Sequence, residues 1–186
     1  MKISVLGGGN GSYATAVDLS EQGHEVWLWR RGGGSIPDAS EKMEITVTDN
    51  KGTRNVSIHN VGTDLAAAIV GAELVVIPLP ATAHYDLASR LAPLLEDDQV
   101  VFLPPGTLGG LILASAMKKI GNKATTAFAE TGTLPYLTRK QSEDSLTISV
   151  RATRLPTGVF PASQSDHALS VIRRVFPAVE PLKNIL

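Results

Sequence analysis

Apolar residues fall into short runs separated by stretches of helical spacing. Lys2 to Leu6 is a β-rich run that ends at Gly7-Gly8-Gly9 and reads as a buried strand. From Ser12 to Gln22, residues Tyr13, Ala14, Ala16, Val17 and Leu19 recur at helical spacing, and Gly23 supplies the stop. Glu25 to Trp29 sets Val26 and Leu28 in alternation with Trp27 and Trp29, which predicts a well-packed second strand. Strand, glycine turn, helix and strand make a βαβ unit of minimal length.

Residues 32 to 42 read as a loop rich in Gly, Ser and Pro. Glu44–Thr48 and Asn55–His59 predict two strands around the turn Asp49-Asn50-Lys51-Gly52. Thr63-Asp64 caps a short helix through Val70, and Leu74–Ile77 is a strand closed by Pro78 and Pro80. An amphipathic helix over His84–Leu95, a strand over Gln99–Leu103, a helix over Leu108–Lys119 and a strand over Ala124–Ala129 follow. This alternation predicts an α/β fold: a doubly wound, mostly parallel sheet with helices on both faces and right-handed crossovers. Past Glu130 the rhythm changes. Leu146, Ile148 and Val150 predict an antiparallel edge strand, and a second strand lies near Thr157–Phe160. Ser165-Asp166 caps a last helix to about Phe176, and the tail Pro177–Leu186 is largely apolar. The expectation is a small antiparallel addition to one domain, 1–186.

Composition narrows the classes of function. The chain has 186 residues, 43% of them hydrophobic, 19% charged and none of them cysteine. That length needs neither disulfide nor metal to hold a core. The lack of cysteine excludes a thiolate metal site and a cysteine nucleophile. A net charge of -1 with both signs scattered argues against a nucleic-acid partner. No run approaches the ~20 apolar residues of a membrane helix, so no membrane partner and a cytoplasmic location are expected. No histidine pair has metal-ligand spacing, so no metal is expected.

Chemistry concentrates in the glycine turn. In a Rossmann dinucleotide fold, one glycine makes the tight turn, the next lets the backbone approach the pyrophosphate, and the third allows close helix–strand packing. The helix N-terminus then offers free N–H groups to the phosphates. The register here is Gly7-x-Gly9-x-x-Ser12, with Gly9, Gly11 and Ala14 as an alternative. Its place directly after a strand and before a helix makes it specific. Asn10, Gly11 and Ser12 complete the turn. Arg30 follows Gly7 by about twenty residues, where an acid would bind the ribose 2′-OH and an arginine accommodates a 2′-phosphate. Arg30 and Arg31 stand there without a carboxylate, so NADP is the expected cofactor, with NAD the alternative.

The segments G-G-G-N-G-S (Gly7–Ser12), G-H-E-V-W-L-W (Gly23–Trp29), P-A-T-A-H (Pro80–His84), L-P-P-G-T-L-G-G (Leu103–Gly110) and A-E-T-G-T-L-P-Y (Ala129–Tyr136) span nearly the whole chain. In that order they resemble the opine (octopine/nopaline-type) dehydrogenases, within the superfamily of glycerol-3-phosphate dehydrogenase and ketopantoate reductase. Ser12 in place of a glycine, and Arg30 in place of an acid, depart from the family pattern. The resemblance implies an N-terminal Rossmann domain and a helical substrate domain beyond residue 186, with the catalytic histidine in the latter and no catalytic residue in this chain. It also implies reductive condensation of an amino acid with an α-keto acid. A related 2-keto acid or glycerol-phosphate reductase, or a nucleotide-sensing module without catalysis, are the other readings. The apolar tail leaves a homodimer open.

Four further places on the carboxyl edge are candidates for cofactor contact. Pro78, Leu79 and Pro80 either shape the cofactor floor or only end a strand. His84 opens a helix and is either a cofactor contact or a capping, solvated histidine. Gly106 and Thr107 either offer backbone N–H groups or cap a helix. Glu130 either bonds the nicotinamide ribose or carboxamide, or pairs structurally. Pro135-Tyr136 is expected at an interdomain contact. His24, His59 and His167 read as structural or solvated.

Overall fold

A computed structural model describes residues 1–32 and 41–185. Its elements are β1 (Lys2–Leu6), α1 (Asn10–Glu21), β2 (Glu25–Trp29), β3 (Glu41–Asp49), β4 (Gly52–Gly62), α2 (Leu65–Ile69), β5 (Leu74–Val76) and α3 (His84–Leu91). They continue with β6 (Val100–Leu103), α4 (Gly109–Ile120), β7 (Ala127–Thr131), β8 (Tyr136–Ser142), β9 (Ser145–Arg151), β10 (Leu155–Phe160), α5 (Ser165–Arg173) and β11 (Val179–Pro181). The loop expected over 32–42 lies mostly outside the described residues, and residues 41 and 42 already belong to β3.

All the described strands form one sheet in the order β11-β10-β7-β6-β5-β1-β2-β4-β3-β9-β8. Its centre, β4-β2-β1-β5-β6-β7, is parallel throughout. β1 lies between β2 and β5, and the order reverses there, so the ends of these strands open a crevice at the carboxyl edge. Buried strands alternate their side chains between two cores. Ile3, Val5, Leu74, Val76, Val100 and Phe102 pack with α1 and α5, while Val75, Ile77, Val101 and Leu103 pack with α2, α3 and α4. Both faces are covered, as a doubly wound sheet requires. α2 starts as its sequence predicts, with the Asp64 carboxylate accepting from the Ala67 amide at 3.0 Å.

The antiparallel addition is larger than expected and sits on both ends of the sheet. β3 pairs antiparallel with β4 at the predicted turn, of which Asp49 and Gly52 already belong to the strands, and β9 pairs with β3 on one side and β8 on the other. The strand carrying Leu146, Ile148 and Val150 is therefore internal, and β8 is the edge. The second predicted strand, β10, pairs with β7 at the opposite end of the sheet. Ile45, Val47, Ile58, Leu146 and Ile148 join the same core as α1, so the extension covers that helix.

Several boundaries shift for local reasons. The helix expected over His84–Leu95 is divided: Pro93 falls in a 3-10 turn over Ala92–Leu94, and another covers Ala81–Ala83. β7 starts at Ala127 rather than Ala124 because the Thr126 amide folds back on the Ala124 carbonyl. The last helix follows a 3-10 turn that ends at Gln164, has no side-chain cap at that position, and ends at Arg173, short of Phe176. Tyr136, expected at an interdomain contact, is buried within this domain, its hydroxyl donating to Asp18 at 3.0 Å.

Candidate functional site

The crevice begins at Gly7. Its φ of +127° is one that side chains rarely adopt, and a Cβ there would lie 2.5 Å from Leu79 Cδ2 and 2.6 Å from Ser12 Oγ. Ser12 occupies the room this glycine leaves, with its hydroxyl turned toward the Leu6 carbonyl at 3.5 Å. A serine thus packs at the third position of the Gly7-x-Gly9-x-x-Ser12 register. Gly11 is packed too, with a Cβ position 3.0 Å from Leu134 Cδ2 and 3.3 Å from Pro78 Cβ.

Gly9 differs from both. It is the exposed N-cap of α1, its φ of -88° and ψ of -179° suit any residue, and nothing lies within 4 Å of its Cβ position. No side chain caps the helix. The first-turn amides of Asn10, Gly11 and Ser12 have no acceptor within α1 and stand at its positive end. The turn therefore combines a packed floor, made by Gly7, Gly11, Pro78 and Leu79, with an open face at Gly9. The Asn10 side chain is engaged elsewhere, its Oδ1 accepting from the Lys140 amide on β8 at 2.9 Å.

Arg30 leaves the end of β2 and crosses the turn, its Nε 3.1 Å from the Gly8 Cβ position. Its Nη1 donates to the Tyr13 hydroxyl at 2.8 Å and to Glu143 Oε2 at 2.7 Å. Lys140 Nζ sits 3.8 Å above the Tyr13 ring centroid and 3.3 Å from Glu143 Oε1. Burial pushes the Tyr13 hydroxyl up to about 12, with Arg30 pulling the other way and Glu143 reinforcing the rise. The bond from Arg30 holds the Glu143 carboxyl below its ordinary range, assisted by the charges of Arg30 and Lys140. Sequence reading found Arg30 but missed Tyr13, Lys140 and Glu143. Arg31 instead turns outward to an exposed ion pair with Asp86 at 3.3 Å.

Across the crevice, the turn after β6 carries Thr107 and Leu108 in left-handed conformations, with φ of +49° and +63°. Glu130 at the end of β7 is buried, and its two oxygens accept from the Leu108 amide at 2.9 Å and the Gly110 amide at 2.6 Å. This carboxylate caps α4, which accounts for Glu130 structurally. Gly106 and Gly110 leave the space it fills. His84 is 2% exposed, so it is not a solvated residue, and its Nδ1 lies against Gly109. Neither ring nitrogen makes a hydrogen bond. Burial lowers its pKa, and the neighbouring Leu79 carbonyl and Glu130 carboxylate only partly offset this. His167 Nε2 donates to the Asp98 carbonyl at 2.9 Å, a tie between α5 and the turn before β6. Pro78 is buried, Leu79 half-buried and Pro80 exposed, so Pro78 and Leu79 form the floor and Pro80 does not.

Residues 2–125 match the family model described as the N-terminus of NAD-dependent glycerol-3-phosphate dehydrogenase. An opine dehydrogenase of Arthrobacter sp. (strain 1C) is 24% identical over 184 residues, covering 98% of this chain and 51% of that protein. A glycerol-3-phosphate dehydrogenase [NAD(P)+] of Azotobacter vinelandii is 33% identical over 156 residues, covering 81% of this chain and 44% of that one. The solved structure of an octopine dehydrogenase in complex with NADH and agmatine has the same fold, with a TM-score of 0.76 at 19% identity, covering 99% of this chain and 49% of its own. The chain spans about half the length of the curated relatives it matches.

Proposed function

The chain belongs to the family of the N-terminus of NAD-dependent glycerol-3-phosphate dehydrogenase, and from that premise we propose that it is the NADP-binding half of an opine-dehydrogenase-like oxidoreductase. The observation that carries the reading is Gly9, a glycine whose Cβ position is empty although neither its conformation nor its packing requires glycine. Open space at the positive end of α1 fits a pyrophosphate approaching the backbone.

In this reading the first-turn amides of Asn10, Gly11 and Ser12 hold the pyrophosphate, and Gly7, Pro78 and Leu79 form the wall behind it. Arg30 takes the 2′-phosphate. The turn Gly106-Thr107 faces the far half of the dinucleotide, and Glu130 positions that turn by capping α4 while His84 packs behind it. The bound cofactor supplies a hydride, which reduces the C=N bond formed when an amino acid condenses with an α-keto acid. This chain's residues orient the cofactor and supply no general acid or base, so positioning is their contribution to rate. A helical domain beyond residue 186 provides the substrate groups. The match to an opine dehydrogenase over 98% of the chain favours this reaction. A 2-keto acid or glycerol-phosphate reductase is the second reading, favoured by the family model itself.

Titrating the chain with NADPH and NADH, with Arg30→Glu alongside, tests the cofactor assignment. NADPH should bind at least about tenfold tighter, a difference of ~1.4 kcal/mol, and the variant should lose that margin. Equal binding unaffected by the variant removes Arg30 as the selector. NADPH oxidation by the protein extended through its second domain then separates the reactions: an amino acid with an α-keto acid for the first, a keto acid or dihydroxyacetone phosphate alone for the second.

A further inference from the structure

Glu143 makes an unequal pair of contacts. Its carboxylate bridges Arg30 and Lys140, whose side chains are 16% and 15% exposed, while its own is 68% exposed. The two cations are held in place by other means. Arg30 lies along Gly8 and donates to Tyr13, and Lys140 rests on the Tyr13 ring while its backbone amide is tied to Asn10. Glu143 stands on the short turn between β8 and β9, and its carboxylate is held by the two cations and by a longer bond from the Tyr13 hydroxyl at 3.4 Å. Tyr13 stays neutral there, its hydroxyl pushed up to about 12, so it adds a hydrogen-bonding group without adding charge. Without Glu143, this corner beside the glycine turn holds two cations and no anion among the described contacts.

We propose that Arg30 and Lys140 form a two-cation subsite for a phosphate monoester on the adenosine ribose, and that Glu143 is its intramolecular stand-in. The inference rests on the dinucleotide reading above and adds two residues from a hairpin remote from the βαβ unit. One carboxylate spans the two cations, at 2.7 and 3.3 Å, and a phosphate monoester presents more oxygens and more negative charge to the same pair. An incoming phosphate displaces Glu143 toward solvent, where its side chain already lies for the most part. A cofactor without the phosphate leaves the Glu143 bridge intact and gains nothing from either cation. Glu143 thereby sets how strongly the phosphate is preferred: it competes for the subsite and lowers the advantage of the phosphorylated cofactor.

The test uses 2′,5′-ADP and 5′-AMP as probes, because they differ only in the phosphate at issue and need no nicotinamide contacts. Calorimetric affinities are measured for the chain and for Glu143→Gln and Lys140→Met, with thermal unfolding of each as a folding control. The ratio of 2′,5′-ADP to 5′-AMP affinity should rise about threefold in Glu143→Gln and fall about fivefold in Lys140→Met. An unchanged ratio in both variants, with 2′,5′-ADP still binding, overturns the subsite while leaving the dinucleotide reading standing. Loss of 5′-AMP affinity in Glu143→Gln, with 2′,5′-ADP unaffected, overturns it in favour of Glu143 as an acceptor for the ribose hydroxyl. Failure of the unsubstituted chain to bind either probe, or NADPH, overturns the dinucleotide reading and this inference together.

Discussion

A methyl group on Gly106 would run into the Glu130 carboxylate, and one on Gly109 into the His84 ring. These glycines are required by close approach, because each makes room for a neighbouring side chain. Gly106→Ala should cost about 1–3 kcal/mol through overpacking. Glu130→Ala should cost about 2 kcal/mol, because the Leu108 and Gly110 amides lose a charged acceptor. The two changes share one contact, so the double variant should lose less than the sum. Urea denaturation of the four proteins checks this, and simple additivity would contradict the assigned contact. The glycines of Leu103–Gly110 stood out in the sequence as a motif, yet their reason did not. Glu130 lies twenty residues beyond Gly110 along the chain, and only the register of β6 against β7 brings it under α4.

The β3–β4 and β8–β9 hairpins are fastened to α1 through one buried carboxylate. Asp49 accepts from Arg54 Nη1 at 2.7 Å, Arg151 Nη2 at 2.9 Å and the Lys51 amide at 2.8 Å. Arg54 reaches on to Glu21, and Arg151 to Asp18 at 2.8 Å, both on α1. The bond from Arg54 holds the carboxyls of Asp49 and Glu21 below their ordinary range. Depressed carboxylates stabilise the fold above their unfolded pKa values, about 4, and lose that contribution as the pH falls toward the folded ones. The thermal midpoint should therefore drop as the pH falls from about 5 to 3. Asp49→Asn should start lower and drop less over that interval, and an unchanged slope would contradict the role given to Asp49. At this scale the parallel core was legible because its strands are short apolar runs buried on both faces. β8, Tyr-Leu-Thr-Arg-Lys-Gln-Ser, was not, since one of its faces is solvated and its pattern is carried by Tyr136 and Thr138 alone. β11 is three residues long and contains a proline, too little for any periodicity. The partners of β9 and β10 are chosen by packing across the whole sheet, which no local window contains.

Taken whole, the molecule places the ends of β1, β2, β5, β6 and β7 along one edge and folds its polar extension over α1 beside that edge. Among the described residues, no helix is long and apolar enough to cross a membrane. The glycine turn and Arg30 were legible as a dinucleotide fingerprint because both belong to one local βαβ unit. The carboxylate facing Arg30 was invisible there, as Glu143 stands 113 residues away in sequence. Gly9 has open space at its Cβ position in the folded chain, the place proposed for the pyrophosphate. The most direct measurement is calorimetric titration of NADPH into the chain and into Gly9→Val, with thermal unfolding alongside. One NADPH should bind per chain, and the variant should bind at least about tenfold more weakly while unfolding within a few degrees of the original. Undiminished binding in a folded Gly9→Val variant would contradict the placement of the pyrophosphate, and no binding to the unsubstituted chain would contradict the central claim itself.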